Sequence, residues 1–411
     1  MKTRYGVSYW LDRYPKSRQP VYPKHRGPID TQVAILGGGL TGCATAYVFA
    51  AAGVRVVVLE ADRIGQGAAA SCPGLLRLEP AVPFRELQDR HGRRVARHLW
   101  QTFRRSGLDF AATIRRLKIR GELVSDAALR TGQDGADEKH LRREMQALRD
   151  ADVEGSWLSP ARLKQETGLA GTGAIRSPGD GYLDPYRVTL GLAAAAVQRK
   201  AVIFERSSVI RVRPLRTTVE LQTAGGVVSA ETVIVASNYP PAFFKPLRRH
   251  FRLCDAYCVL TSPVPSFVRR EFGRSRAIVI DRADPPHVLR RTSDERVLFV
   301  GADQRHVPVR VRDKMLVQRT GQLMYELSKL YPAISGIQPE YGWDVQVSVS
   351  ADGFPCVGPH RNYPHHLFAL GAGHHGVGTA FLAARVLLRQ YLDQAEKGDE
   401  LFGFGRLLGR Q

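Results

Sequence analysis

Apolar residues along the chain form two kinds of stretch. Thr31 to Leu36 is an unbroken β-branched and apolar run, the pattern of a parallel strand buried on both faces. Ala44 to Ala52 is a run of small residues that predicts a helix able to pack close to a sheet. Val54 to Leu59 predicts a second buried strand, ending at Glu60. Strand-like runs recur in ETVIVASN at 231–238 and in HLFAL just before residue 371, where a glycine-rich turn leads into an apolar helix. Residues 84 to about 168 set charged against apolar residues at helical spacing, as in HLWQTFRRSGLDFAATIRRL, and predict amphipathic surface helices with solvated arginine faces. Residues 241–340 hold the strand-like runs AYCVLTSPV, AIVI and RVLFVG. No apolar run reaches the ~18 residues wanted for a membrane-spanning helix.

Between the first strand and the first helix stand Gly37, Gly39 and Gly42, a GxGxxG turn. Gly37 permits the tight turn, Gly39 lets the backbone approach a pyrophosphate, and Gly42 lets helix and strand pack closely. The helix N-terminus at Leu40 and Thr41 offers unpaired N–H groups and a positive dipole end to phosphates. Glu60, about 20 residues further on, is placed to accept hydrogen bonds from ribose hydroxyls. Its charge disfavours a 2′-phosphate, so NADP is set aside while FAD and NAD stay open on this stretch. Two later segments weigh toward the longer cofactor: the small-residue loop ADRIGQGAAASCPGLL and a second glycine turn, Gly371-Ala-Gly-His-His-Gly-Val-Gly378, that opens a helix.

On these motifs the chain resembles the D-amino-acid oxidase-like family of FAD-dependent oxidoreductases, which includes glycine and sarcosine oxidases and DadA-type dehydrogenases. VAILGGGLTG…VVVLE, GQGAAAS, DPYRVTLGLAAAA, ETVIVASN, DGFP…G and GAGHHGVG occur in the family's order from residue 31 to about 395. The resemblance implies an α/β fold with an α+β substrate half: a Rossmann-like FAD-binding domain interleaved with an antiparallel-sheet substrate domain. Expected boundaries are an extended arm at 1–29, FAD-binding segments at 30–83, 180–240 and 341–395, substrate segments at 84–179 and 241–340, and a tail at 396–411. The resemblance places Gly37, Gly39 and Gly42 at the pyrophosphate, and Glu60, Ala61 and Arg63 at the adenosine. Gly67, Ala70 and Ser71 would lie where the chain passes pyrophosphate and flavin, with Val209 at the adenine and Ala236 in the ETVIVASN strand. Gly371, Gly373, His374, His375, Gly376, Val377 and Gly378 would lie beside the flavin. WDVQVSVS lacks the cysteine, and AAASCPG the histidine, through which some relatives tether flavin, so FAD is expected to be noncovalent. Cys72 in that loop reads either as a flavin neighbour or as a small buried filler. The strand RVLFVG also lacks the lysine that assists oxygen in some sarcosine oxidases.

The substrate half holds HVLRRTSDERVLFVGADQ at 287–304, where the family places a residue near a substrate carboxylate. Arg290 or Arg291 is therefore a candidate carboxylate anchor, and strand alternation allows only one of them to face inward. His375 matches a histidine beside the flavin and is the second catalytic candidate, against the alternative of a satisfied structural imidazole. Tyr182 and Trp343 are weaker pocket candidates. The implied activity is oxidation of the C–N bond of an amine or amino acid, with hydride leaving the α-carbon for flavin N5. The imine would then hydrolyse in water, and oxygen, a quinone or a protein would accept the electrons.

Composition changes this picture only at its edges. The 60 Lys+Arg against 39 Asp+Glu give a formal +21, yet the basic residues are spread along the chain with no compact block, which disfavours nucleic acid as the partner. A peripheral membrane contact stays open. Five scattered cysteines suit free thiols in a reducing compartment, so a cytoplasmic location is expected. The Cys254–Cys258 pair lacks companions for a metal site, and no metal is expected. Two rival classes remain: a flavoenzyme acting on an aminomethyl group of RNA, and a non-catalytic flavoprotein subunit.

Overall fold

The computed structural model describes residues 2–407; Met1 of the arm and residues 408–411 of the tail lie outside the described residues. Two sheets organise the chain. In the first, Ile29–Leu36 runs parallel to Val56–Leu59 on one side, with Val33 opposite Val56 and Leu36 opposite Leu59, and to Gly226–Asn238 on the other. Val202–Phe204 and Tyr363–Leu370 extend this parallel core outward. The helix Leu40–Ala51 is hydrophobic on nearly every side because it lies between this sheet and the helices Pro185–Val197 and Gly376–Tyr391. Its glycine and alanines keep the layers close. A second apolar layer, with Phe244, Phe368 and Phe404, covers the opposite face.

The second sheet is larger and mostly antiparallel. Its centre is Phe251–Thr261, flanked by Val297–Arg305 and Pro339–Ser350. Alternation divides Phe251–Thr261 cleanly: Ala256, Cys258 and Leu260 face the main core, while Tyr257 and Val259 join an outer core with the helix Val309–Leu330. Val288–Arg291, Ile278–Ile280, Val124–Gly132 and Gly173–Tyr182 continue the sheet toward Leu75–Leu76. Among the described residues no helix is long and apolar enough to cross a membrane.

Two expectations need correction. Residues 84–168 are not all helical: Val124–Gly132 is a strand, paired with Gly173–Tyr182 and Ile278–Ile280. Its alanines and leucine favour helix locally, and pairing on both edges overrides that preference. Residues 341–350, grouped above with the FAD-binding segments, hydrogen-bond to Phe251–Thr261 in the larger sheet. The first sheet resumes only at Cys356–His360, which pairs antiparallel with Tyr363–Leu370.

Residues 3–28 run over the body. Arg4–Tyr5 adds a parallel strand to Tyr341 and Gly342. The short helix Tyr9–Arg13 buries Tyr9 and Trp10. Ser8 donates to the carbonyl of Ala70, and the Trp10 indole N–H donates to the carbonyl of Cys72 at 2.9 Å.

Candidate active site

A cleft of about 400 Å³ opens where the two sheets meet. One end is built on the glycine turn. Gly37 has a φ of +106°, and a Cβ there would sit 2.8 Å from the carbonyl oxygen of Ala236. A Cβ on Gly42 would meet the carbonyl oxygen of Gly37 at 1.9 Å, which is why helix and strand approach as they do. Gly39, by contrast, has nothing within 4 Å and faces the opening. The helix beginning there has no side-chain cap and no acidic residue in its first turn, leaving its positive end for an anion. Glu60 Oε2 accepts from the Gly38 N–H at 2.6 Å and Oε1 from the Asp62 N–H at 2.8 Å. Each carboxylate oxygen keeps a further lone pair for a ribose hydroxyl. This open cradle, closed to side chains at Gly37 and Gly42, fits the pyrophosphate and ribose of a dinucleotide.

Of the residues expected at the cofactor, Gly37, Gly39, Leu40, Thr41, Glu60, Ala61, Gly67, Val209, Ala236, Gly373, His374, Gly376 and Val377 line the cleft. The others stand behind it. Arg63 reaches back to Gln19 of the arm at 3.3 Å. Ala70 and Ser71 present carbonyls away from the opening, to Ser8 and to the Trp343 indole. Gly371, with φ +71°, packs under the Phe251 ring, and Gly378 packs on the Arg77 carbonyl. Cys72 does line the cleft, but burial pushes its thiol up to about 12, which disfavours the nucleophilic thiolate. Val300, Val345 and Val347, within the runs RVLFVG and WDVQVSVS, form the apolar wall contributed by the larger sheet.

The second turn separates the two histidines. Residues Gly373–His375 form a single 3-10 turn, and successive side chains there point about 120° apart. His374 faces the cleft and its Nε2 lies 2.8 Å from Asp303 Oδ2. His375 turns away from the lining residues. Its Nδ1–H donates to the Glu79 carbonyl at 3.1 Å, a tautomer assigned from that acceptor. Burial first, and then the nearby Arg77 guanidinium, push it down to about 3, so it is neutral. The position expected to be catalytic is thus a held imidazole, and its neighbour occupies the opening.

Behind the turn lies a buried charge cluster that sequence reading missed. Arg77 Nε donates to Asp180 at 2.6 Å, and the same guanidinium pairs with Glu79. Arg130 lies 3.7 Å from Glu79 and 3.6 Å from Glu144. Burial raises Asp180 to about 6 despite Arg77, whereas Arg130 and Arg77 outweigh burial and lower Glu79. The only sequence signal is the i, i+2 spacing of Arg77 and Glu79 in LLRLE, which puts both on one face of an extended segment.

Arg290 and Arg291 diverge as strand alternation requires. Arg291 points to the far side of the sheet and donates to the Ser275 carbonyl at 2.8 Å. Arg290 is 2% exposed, and its guanidinium carbon sits 4.3 Å from the Tyr182 ring centroid and 5.5 Å from that of Trp10. Its one hydrogen bond reaches the carbonyl of Pro73, a cleft-lining residue, at 3.4 Å. Among the described residues no carboxylate lies within 4.0 Å of it, and both Arg290 Nε and the Tyr182 hydroxyl are buried without a partner. Burial lowers Arg290 to about 10.

Comparison with known proteins agrees with this construction. The profile of the DAO family, described as FAD dependent oxidoreductase, matches residues 32–390. A probable oxidoreductase, OrdL, of Haemophilus influenzae is 25% identical over 401 residues, spanning 95% of this chain and 89% of that protein. The gamma-glutamylputrescine oxidoreductase of Escherichia coli is 26% identical over 383 residues, 90% of this chain and 86% of that one. The crystal structure of L-proline dehydrogenase from P. horikoshii shares the fold, with a TM-score of 0.77 over 93% of this chain and 99% of that chain at 18% identity. The chain is a member of the DAO family of FAD-dependent oxidoreductases.

Proposed function

We propose that this enzyme oxidises the C–N bond of a small amine or amino acid that carries a carboxylate, with FAD held noncovalently. The observation that carries the reading is Arg290. An unpaired guanidinium is costly to bury, and cation–π contact with Tyr182 offsets only part of that cost. A carboxylate entering from the cleft would restore the missing partner bidentately, with the Tyr182 hydroxyl as a further donor. The names of relatives support the substrate class, one being an oxidoreductase of an amine and another a dehydrogenase of an amino acid.

Within this reading the glycine cradle, the two uncapped helix ends and Glu60 hold the cofactor, and the Gly373–Val377 turn lies at its flavin end. When bound, FAD supplies the two-electron acceptor for the hydride that leaves the substrate's α-carbon. The chain's own contribution is placement. Arg290 fixes the carboxylate, the valines of the larger sheet exclude water, and positioning lowers the barrier without a covalent step on the protein.

The test is the visible spectrum of the purified protein before and after acid precipitation, then anaerobic addition of amines with and without a carboxylate. Yellow colour released into the supernatant, and bleaching by carboxylate-bearing members, are expected. Colour retained in the pellet would overturn noncovalent binding. Preference for amines lacking a carboxylate would overturn the role of Arg290.

A further inference from the structure

His374 and Asp303 reach the same point of the cleft from different elements, and the backbone is distorted to let them. In the ladder between Phe251–Thr261 and Val297–Arg305, Tyr257 pairs with Gly301 but Asp255 pairs with Gln304. Ala302 and Asp303 therefore share the single partner position of Ala256, which is a β-bulge. Before the bulge, Leu298 and Val300 face the main core and Phe299 the outer one. Unbroken alternation would carry Ala302 inward and Asp303 outward. Instead Ala302 joins the outer core beside Tyr257, and Asp303 turns in to His374. Ala302 adopts a φ of +54°, a left-handed conformation that a residue with a side chain seldom takes. Such distortion persists where the surroundings hold it, and it collects at functional sites.

The chemistry of the pair is directional. A carboxylate only accepts, so Nε2 and Asp303 Oδ2 form an ion pair whenever the His374 ring is protonated, and Nδ1 makes no hydrogen bond among the described residues. The His374 side chain is 46% exposed and that of Asp303 19%, so one end of the pair meets the cleft and solvent while the other is half enclosed. His375 has no comparable freedom, being bound to the Glu79 carbonyl.

We propose that His374, held by Asp303, takes the proton from the substrate's ammonium group before oxidation; this rests on the amine-oxidation reading above. The ammonium N–H bond breaks, its electron pair stays on nitrogen, and the proton bonds to Nδ1 of His374. The imidazolium so formed lies against the Asp303 carboxylate and passes the proton to solvent water. The freed lone pair becomes the C=N bond as the α-carbon gives up hydride, so the substrate loses one proton and one hydride, two electrons in all. Other charged or titratable groups around the pair come from each neighbouring element. The turn itself contributes His375, backed by Arg77 and Glu79. Cys258, Arg290 and Asp344 stand on the three strands packed nearby, and Arg312 holds Asp344.

The test uses the FAD-loaded protein, with anaerobic stopped-flow bleaching by the best substrate followed from acid to alkaline pH, in wild type, H374N and D303N. In H374N bleaching near neutral pH should slow on the order of a hundredfold and recover where the amine deprotonates unaided. In D303N, where the ring loses its partner at 2.8 Å, the limiting rate should fall roughly tenfold with KM little changed. Ring 15N signals of the 12 histidines, with His374 identified by its loss in H374N, give a second readout without turnover. The ring 15N shifts of His374 should change in D303N, since Nε2 has lost the neighbouring carboxylate. Bleaching of H374N at the wild-type rate with an unchanged acid limb would overturn the proposal and leave amine oxidation standing. Unchanged His374 ring signals in D303N would overturn the pairing. A wild-type protein bleached by no amine or amino acid would overturn the amine reading itself, and the proton-taking role with it.

Discussion

Replacing Arg290 by methionine separates what the residue does for the fold from what it does for the substrate. Burial lowers its guanidinium from 12.5 to about 10, which at 1.36 kcal/mol per pKa unit is about 3 kcal/mol of charge-burial cost. Methionine fills similar space without that cost, but forfeits cation–π contact with Tyr182 and Trp10, about 1 to 2 kcal/mol. The variant should therefore be more stable than wild type by about 1 to 2 kcal/mol, raising the melting temperature by a few degrees. Its kcat/KM toward a carboxylate-bearing substrate should fall by about 2 to 5 kcal/mol, roughly thirtyfold to several thousandfold. Loss should be much smaller for an amine without a carboxylate. Denaturation of the FAD-loaded proteins without substrate, set beside steady-state rates on matched substrates, reads both quantities. R290K serves as a control, since an ammonium keeps the charge but not the bidentate fork. A variant destabilised by about 2 kcal/mol or more, with its discrimination intact, would make Arg290 a structural cation and refute the reasoning.

Further expectations are simpler. G42A should yield protein without bound FAD, or none that folds, since its methyl group would lie 1.9 Å from the Gly37 carbonyl; a normal flavin spectrum would contradict the packing argument. E60A removes the acceptor for the Gly38 and Asp62 amides, and FAD affinity by fluorescence titration should weaken at least about tenfold. Asp184 caps the helix Pro185–Val197, and burial raises it from 3.8 to about 6. Its folded value lies above the unfolded one, so its contribution to stability is complete below pH about 4 and is lost as pH rises through about 6. D184N keeps the cap, so it should match wild type near pH 4 and exceed it by about 3 kcal/mol near pH 7 in urea titrations. W10F keeps the ring but loses the bond to the Cys72 carbonyl, and should cost about 1 kcal/mol while raising KM; an unchanged KM would remove the arm from the site.

The glycine turn was legible because its constraints are local. A Cβ has no room at Gly37 or Gly42, and the strand that ends at Leu59 sets the Glu60 carboxylate against the turn at the Gly38 N–H. The substrate end was legible only as a set of residue types. Sequence shows two adjacent arginines and two adjacent histidines, but which member faces the cleft depends on strand parity and on the rotation of a 3-10 turn. Asp303 was hidden further, since its inward direction depends on a bulge that no alternation pattern announces. Strand Val124–Gly132 was misread because its partners are distant in sequence: Ile278–Ile280 and Gly173–Tyr182 decide its conformation, not its own alanines. The Arg77 cluster gathers Asp180 and Arg130 from separate segments for the same reason.

The arm has a consequence for how the molecule is made. Arg4 and Tyr5 have their strand partners at Tyr341 and Gly342, and Tyr9 finds its hydrogen bond at Asp294. Ser8 and Trp10 meanwhile brace the segment at Ala70 and Cys72 that forms one wall of the cleft. Chains leave the ribosome N-terminus first, so these early residues wait for most of the sequence before they can dock. The cleft is therefore completed only after Tyr341 and Gly342 have been made. Contacts of such long sequence separation also slow folding. A bulky fusion placed directly ahead of the arm would have to be accommodated at that final closing step, and would be felt first as poor flavin loading.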